Sequence, residues 1–306
     1  MTARGLWLGW RRDVLRFVVL CCGALMLGLI INRARGAAKH ELETIVPSGV
    51  GRLVADLDDD EDSLPAGRAA GETWTFRARI APGQLVSIRN VRGPVTVEST
   101  SGESLSVSAV KTYGRSDPAS VKVVTVAGSQ GVTICALWDS VKGHCGSGDA
   151  YAEGQTHHSD VAVAFTVRVP RGVRIEATSV RGAVHVSGAG APVIAGTVTG
   201  DVNAETSGGP VRAFTVNGSV RAAIDGFADS GVVKLTTVNG SVTVVLPARL
   251  DASISANALN GAIESDFPLS ESQKVVVHHA EGTVGAGGRK IELNAVNGAI
   301  QIKKRV

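Results

Sequence analysis

Aromatic side chains are scarce in this chain, at 4% of residues. An interior built on large rings is therefore excluded. Val, Ile, Leu and Ala must fill it, which suits strands carrying small branched side chains. Cysteine occurs at only four positions, which excludes a disulfide-dense miniature scaffold. Charge of one sign is also missing: 31 basic against 28 acidic residues leave a formal net charge of +3. A chain so near balance lacks the basic footprint of a nucleic-acid binder, and no nucleic-acid partner is expected. What it has in excess is glycine, 37 in 306 residues, where an average protein has about 7%.

Long apolar runs are limited to one. Arg4, Arg11, Arg12 and Arg16 lead into it, and it covers residues 17–31. A charged stretch followed by an apolar one is the pattern of an export signal. The run also lies at the short end of a membrane span, which takes about 17–25 residues. Residues 1–39 are therefore expected to be an N-terminal transmembrane or signal helix. It is either an uncleaved single-pass anchor or a cleaved signal, with Gly36-Ala37-Ala38 as the best cleavage point. Leu20 before Cys21-Cys22 argues against a lipoprotein signal. The basic flank puts the N-terminus in the cytoplasm. The C-terminal domain is then extracytoplasmic at the cell membrane, or secreted or periplasmic after cleavage.

In an exported protein, Cys135 and Cys145 flank a loop rich in Gly, Ser and Asp and read as a disulfide, the alternatives being a metal pair or two free thiols. A zinc reading would have only His144 nearby and would lack a fourth ligand. Residues 40–72 read as an acidic, disordered linker around Asp56, Asp58, Asp59, Asp60, Glu61 and Asp62. A helix-loop-helix calcium site needs Gly sixth and Glu twelfth. Counting from Asp56, those places hold Glu61 and Gly67, so the segment is a solvated spacer.

The remainder, 73–306, carries a repeat. Seven glycines align: Gly93, Gly182, Gly200, Gly218, Gly240, Gly261 and Gly298. Two residues after them stand Val95, Val184, Val202, Val220, Val242, Ile263 and Ile300. The positions two, five and seven before each glycine are also apolar in every copy, Val211, Ala213 and Val216 before Gly218 being one set. All 28 positions are apolar in a chain that is 44% hydrophobic. Spacing of two within each arm is the strand period, and the phase switches at the glycine. Asn217, Asn239, Asn260 and Asn297 precede four of the glycines, and Asn-Gly accepts positive φ at low cost. Each copy reads as strand, tight corner, strand.

From Gly182 the intervals are 18, 18, 22, 21 and 37 residues, and Gly190 and Gly209 split the first two nearly in half. Coils of this length, each burying its face against neighbours, describe a β-solenoid; the alternative is a run of hairpins or a sandwich. The fold class is all-β, a single-domain solenoid. The long last interval has room for a second coil or an insertion around 267–290. Strand-like runs at 74–80, 105–110, 121–126, 132–137 and 161–169 are less regular. They read as wider coils of the same domain, a cap or a separate sandwich.

The ordered set Gly93-Pro94-Val95, then Gly131-Val132-Thr133-Ile134-Cys135-Ala136, then Phe165-Thr166-Val167-Arg168-Val169-Pro170-Arg171-Gly172-Val173, then Thr-Val-Asn-Gly-Ser-Val at 215–220 and 237–242 resembles the DUF4097 family of bacterial adhesin-like proteins over about 73–306. The resemblance implies a right-handed β-helix, exported or membrane-anchored, with no catalytic residues to carry over and a link in some members to envelope-stress modules. Arg92, Arg181 and Thr199 stand where Asn is usual.

Catalytic readings are weak. A glycosidase wants two carboxyls about 5–9.5 Å apart around a cleft, but Asp201, Asp225, Asp229, Glu264 and Asp266 fall at different offsets from their glycines. His157-His158 and His278-His279 are adjacent pairs, and neighbours on a strand face opposite ways, so neither pair chelates as a unit. His185 points outward. No phosphate loop or seryl-nucleophile motif is present, and no cofactor or metal is expected. The basic tail Lys303-Lys304-Arg305 reads as protection of an edge strand. The function expected is a non-enzymatic envelope binding or scaffold module, with an envelope protein or a glycan as partner. The alternatives are an envelope-stress accessory acting through a membrane partner, and a carbohydrate-active enzyme. The residues singled out, Cys135 and Cys145, the glycines from Gly182 to Gly298 and the four asparagines, are structural.

Overall fold

The computed structural model describes residues 69–138, 143–146, 159–227, 231–274 and 277–305. The anchor or signal at 1–39, nearly all of the acidic linker, Cys21, Cys22, Asp229 and His157-His158 lie outside the described residues.

Two large sheets, of ten and eleven strands, make up the fold, and no α-helix occurs among the described residues. β1 (Ala69–Arg79) lies in the ten-stranded sheet, β2 (Leu85–Arg89) in the other, and β3 (Val95–Thr100) and β4 (Ser104–Tyr113) are back in the first. β5 (Lys122–Gly128) and β6 (Gly131–Leu137) join the eleven-stranded sheet and β7 (Ala162–Pro170) the ten-stranded one. The chain then alternates strictly. β8 (Arg174–Thr178) is followed by β9 (Val184–Ala189), β10 (Val193–Gly196) by β11 (Val202–Thr206), β12 (Val211–Asn217) by β13 (Val220–Ile224), β14 (Val233–Asn239) by β15 (Val242–Leu246), and β16 (Ala252–Asn260) by β17 (Ile263–Ser265). β18 (Ser270–Lys274) and β19 (Val277–Val284) form an antiparallel hairpin. β20 (Arg289–Asn297) and β21 (Ile300–Lys304) resume the alternation.

Each pair of successive strands that crosses from the eleven-stranded to the ten-stranded sheet is one coil, and neighbouring coils pair in parallel. Val193 lies level with Ile175 and Val211, and Val202 with Val184 and Val220. The aligned apolar positions explain this stacking. Every residue seven or five before a corner glycine is buried, and so is every residue two after one except Ile263, which is half-buried on the last coil. The position two before the glycine sits at the corner and is less uniform: Val91, Val180, Val198 and Val296 are buried, Val216, Val238 and Leu259 half-buried. Each fully buried Val, Ile or Leu contributes about 1.5–3 kcal/mol, and in-register stacking repeats that gain coil after coil. A run of simple hairpins is ruled out for the centre because its strands are parallel.

The ends depart from sequence order. In the eleven-stranded sheet β20 lies between β14 and β16, and in the ten-stranded sheet β21 lies between β15 and β17. The last coil of the chain is therefore inserted one place inward. The 37-residue interval thus contains both an insertion, the β18–β19 hairpin, and a return path. The other end mirrors this: coil β2–β3 lies between coils β6–β7 and β8–β9.

The expectation for the basic tail is corrected. β21 is an interior strand, so it has no edge to protect. Instead Arg305 pairs with Asp225, the Lys304 ammonium lies 5.0 Å from the centre of the Phe267 ring, and the Lys304 N–H donates to Asp266 Oδ2 at 2.8 Å.

Candidate functional site

The corner between the sheets repeats one geometry. The N–H of Gly182 donates to the Thr199 carbonyl at 2.8 Å, Gly200 to Asn217, Gly218 to Asn239, Gly240 to Asn297 and Gly298 to Asn260, each at 2.9 Å. A methyl group on Gly218, Gly240, Gly261 or Gly298 would sit inside van der Waals contact with the carbonyl oxygen of the glycine one coil back. Positive φ, 150° at Gly218 and 148° at Gly240, adds a second reason for glycine. Turn chemistry alone is the smaller part, because coil stacking leaves no room for a Cβ.

The asparagines are selected differently. They close β12, β14, β16 and β20, and their amides form a ladder. Asn239 Nδ2 donates to Asn217 Oδ1, Asn297 Nδ2 to Asn239 Oδ1 and Asn260 Nδ2 to Asn297 Oδ1, each at 2.8 Å. The ladder follows spatial order, so Asn297 stands between Asn239 and Asn260. Arg92, Arg181 and Thr199 continue the same row by backbone bridges that end on Asn217.

Three residues before the glycine is a polar position that sequence reasoning missed. Thr215 Oγ1 donates to the Gly200 carbonyl at 2.9 Å, Thr237 Oγ1 to Gly218 at 2.8 Å and Ser179 Oγ to Gly93 at 2.9 Å. These hydroxyls are buried and satisfy carbonyls of the corner row, where an orphan group would be costly. The repeated Thr in Thr-Val-Asn-Gly was the available signal. Ala258 and Ala295 hold this place in the last two coils.

Cys135 and Cys145 are joined, with Cα atoms 5.8 Å apart. Cys135 lies level with Arg89 on the outward face of the eleven-stranded sheet. There Arg89 Nη2 meets Glu176 Oε1 at 2.7 Å and Ser87 Oγ donates to Glu176 Oε2 at 3.3 Å. The Arg89 and Glu176 side chains are only 11% and 16% exposed, so this pair is shielded rather than solvated. Nothing in the sequence marks it, since its members are 87 residues apart. Just before β7, Asp160 accepts from the Arg115 N–H at 2.7 Å and the Ser116 N–H at 3.0 Å. Those donors, Arg115 first, hold its carboxyl well below the usual carboxylate range against the opposing effect of burial.

At the opposite end the ten-stranded sheet stops at β17, while the eleven-stranded sheet continues past β16 with β19 and β18. The step leaves a depression of about 300 Å³ bordered by Ala262, Ile263, Glu271, Ser272, His278 and His279. The adjacent histidines do face opposite ways. His278 lies level with buried Ala258 on the inward face. His279 lies level with Asn257 on the outward face and bonds Asn257 Oδ1 at 2.8 Å and Glu281 Oε2 at 3.2 Å. Asn257 Nδ2 passes the chain on to Asn294 Oδ1 at 3.2 Å.

The carboxylates considered for catalysis serve separate tasks. Asp201 accepts from the Ser219 N–H at 2.8 Å, Glu264 from Gln301 Nε2 at 3.1 Å, and Asp225 and Asp266 hold the tail. Among the described residues no three of His, Cys, Asp and Glu gather as a metal-binding group.

The model of the family Toastrack DUF4097 matches residues 84–303. No curated protein matches. Among solved structures, a candidate cell adhesion protein from Clostridium sporogenes is similar, at 13% identity and TM-score 0.42, covering 76% of this chain and 100% of its own. A candidate adhesin from Bacteroides fragilis is similar at 13% identity and TM-score 0.21, over 76% of this chain and 97% of that one. A third, from Parabacteroides distasonis, has 7% identity and TM-score 0.23, over 77% and 98%.

Proposed function

This chain belongs to the Toastrack DUF4097 family, and from that premise we propose that it is a non-enzymatic binding or scaffold module held outside the cytoplasmic membrane of a bacterial cell. The observation that carries the reading is the outward face of the ten-stranded sheet. Thr96, His185, Asn203, Arg221, Thr243 and Gln301 stand abreast on successive coils. Strand spacing sets them about 4.7–4.9 Å apart. Such a surface is regular and rigid and offers donors and acceptors at a fixed pitch, which suits recognition of an extended envelope glycan or protein. Its core is closed by apolar side chains. The Cys135–Cys145 disulfide supports an oxidising compartment, and the basic-then-apolar N-terminus supports export. The coils wind right-handed in this reading, the hand that crossovers between parallel strands of one sheet adopt.

Pull-down from intact envelopes with the full chain, together with protease accessibility of a C-terminal tag in whole cells, tests the proposal. Recovery of a defined glycan or envelope protein, and loss of the tag to external protease once any outer membrane is permeabilised, are the expected outcomes. A tag shielded on the cytoplasmic side overturns the location, and the binding role with it.

A further inference from the structure

The corner ladder ends abruptly on the last coil. In each interior coil two donors reach the next coil: the N–H of the corner glycine, and the N–H two residues on, as in Val220 to Ser241 and Val242 to Ala299 at 2.9 Å. On the last coil the equivalent donors are Gly261 N–H and Ile263 N–H. β17 pairs with β21 on one side only, and no described residue accepts from either donor. An edge with its donors in line is a template for another strand. Here the edge is also sheltered. β19 and β18 overhang it by two strands, about 9–10 Å, and Ile263 is half-buried at the floor of the depression. Two carboxylates border it: Glu264 on β17 and Glu271, which lines the depression, are both exposed.

We propose that the open edge of β17 is a strand-acceptor site, which captures an extended, basic peptide segment of a partner protein in parallel register. Three requirements on the segment follow from the coils already stacked. The residue over Gly261 must be glycine, because a Cβ at each earlier corner would strike the carbonyl of the glycine below it. Two residues on, an apolar side chain falls over Ile263 and extends the core row of Val95, Val184, Val202, Val220, Val242 and Ile300. One residue further, a Lys or Arg falls level with Glu264, where opposite charges on adjacent strands attract. The segment needs no preformed fold, since main-chain bonds supply the affinity and alternate side chains the choice. This inference goes beyond the envelope-binding role and does not depend on the compartment.

The chain's own sequence supplies a probe. Residues 214–224, Phe-Thr-Val-Asn-Gly-Ser-Val-Arg-Ala-Ala-Ile, carry glycine, valine and arginine at the required spacing. A labelled synthetic peptide of that sequence, titrated with the full-length protein and followed by fluorescence anisotropy, is expected to bind with a dissociation constant on the order of micromolar. Replacing its glycine by alanine is expected to weaken binding by about tenfold or more, and replacing its arginine by glutamate by about fivefold. Glu264→Lys in the protein is expected to restore the glutamate peptide and weaken the parent one. Ile263→Pro removes an outward donor together with the apolar side chain beneath the peptide, and is expected to abolish binding; if that variant misfolds, the charge exchange stands alone. No binding by the parent peptide, equal affinity of the alanine peptide, or a Glu264→Lys protein blind to the peptide's charge overturns the proposal. A failed envelope pull-down leaves it standing.

Discussion

The central coils, β8 to β15, follow one another in sequence and in space, whereas the coils at both ends are taken out of order. In the centre every coil has a neighbour on each face, so its four apolar rows and its corner glycine are met by the same groups one coil away. An end coil has one face without a partner. There the chain uses antiparallel strands: β1, β4 and β5 at one end, β18 and β19 at the other. It also returns to wedge a late coil inward, so that no terminal coil depends on a single sequence neighbour. Repeat proteins need unlike end units for this reason. The ends also hold non-repeating chemistry, the disulfide at one and the depression beside Ile263 at the other, while the shielded Arg89–Glu176 pair ties the β2–β3 coil to the first central one.

The centre breaks most easily at its corner. Gly240→Ala is expected to cost about 3 kcal/mol or more, because the methyl meets the Gly218 backbone and φ is unfavourable. Gly83→Ala also sits at positive φ but in open space near one end, and about 1 kcal/mol is expected there. Urea denaturation of the two variants separates stacking from turn conformation, and equal losses would remove the stacking explanation. Opening the Cys135–Cys145 bond by Cys135→Ser is expected to cost about 2–3 kcal/mol. That loss should be felt at one end, so amide exchange at Gly218 and Gly240 should change far less than exchange within β5 and β6.

Thr237→Val tests the missed rung. It removes a buried 2.8 Å bond and leaves the Gly218 carbonyl unmet, for an expected loss of about 1–2 kcal/mol by chemical denaturation. The smallest effect belongs to Asp160 at the end. Its folded pKa lies below the ordinary value of 3.8, so folding favours the ionised form. The stability this adds is complete above the unfolded value and is lost as pH falls through the folded one. Urea midpoints should therefore decline below about pH 4, and less steeply in Asp160→Asn. An unchanged slope in that variant would show the carboxylate to be idle.

The same contrast explains what could be read from the sequence. The all-β class, the coil length and the inward rows were legible because one geometry is copied seven times along 86–300 and each copy carries the same apolar spacing. The Cys135–Cys145 pair was legible because its members are close in sequence. The displaced coils were not, since β21 and β17 carry equivalent corners and a repeat alone does not say which copy lies next to which. The Ser87–Arg89–Glu176 group and the Asn257–Asn294 pair depend on register between distant strands. The tail was misread because a basic C-terminus suits an edge, and only the return path makes β21 interior.

That return path is tested most directly by cross-linking. Thr243 lies level with Gln301, and Gln301 with Glu264, across three adjacent strands. Neighbouring strands bring Cα atoms within disulfide reach, about 4.4–6.8 Å, and strands two apart do not. With Cys21 and Cys22 replaced by serine, Thr243→Cys with Gln301→Cys is expected to form an intramolecular disulfide under mild oxidation, and Thr243→Cys with Glu264→Cys is expected to stay reduced. The reverse pattern would place the coils in simple sequence order and contradict the arrangement of the ends.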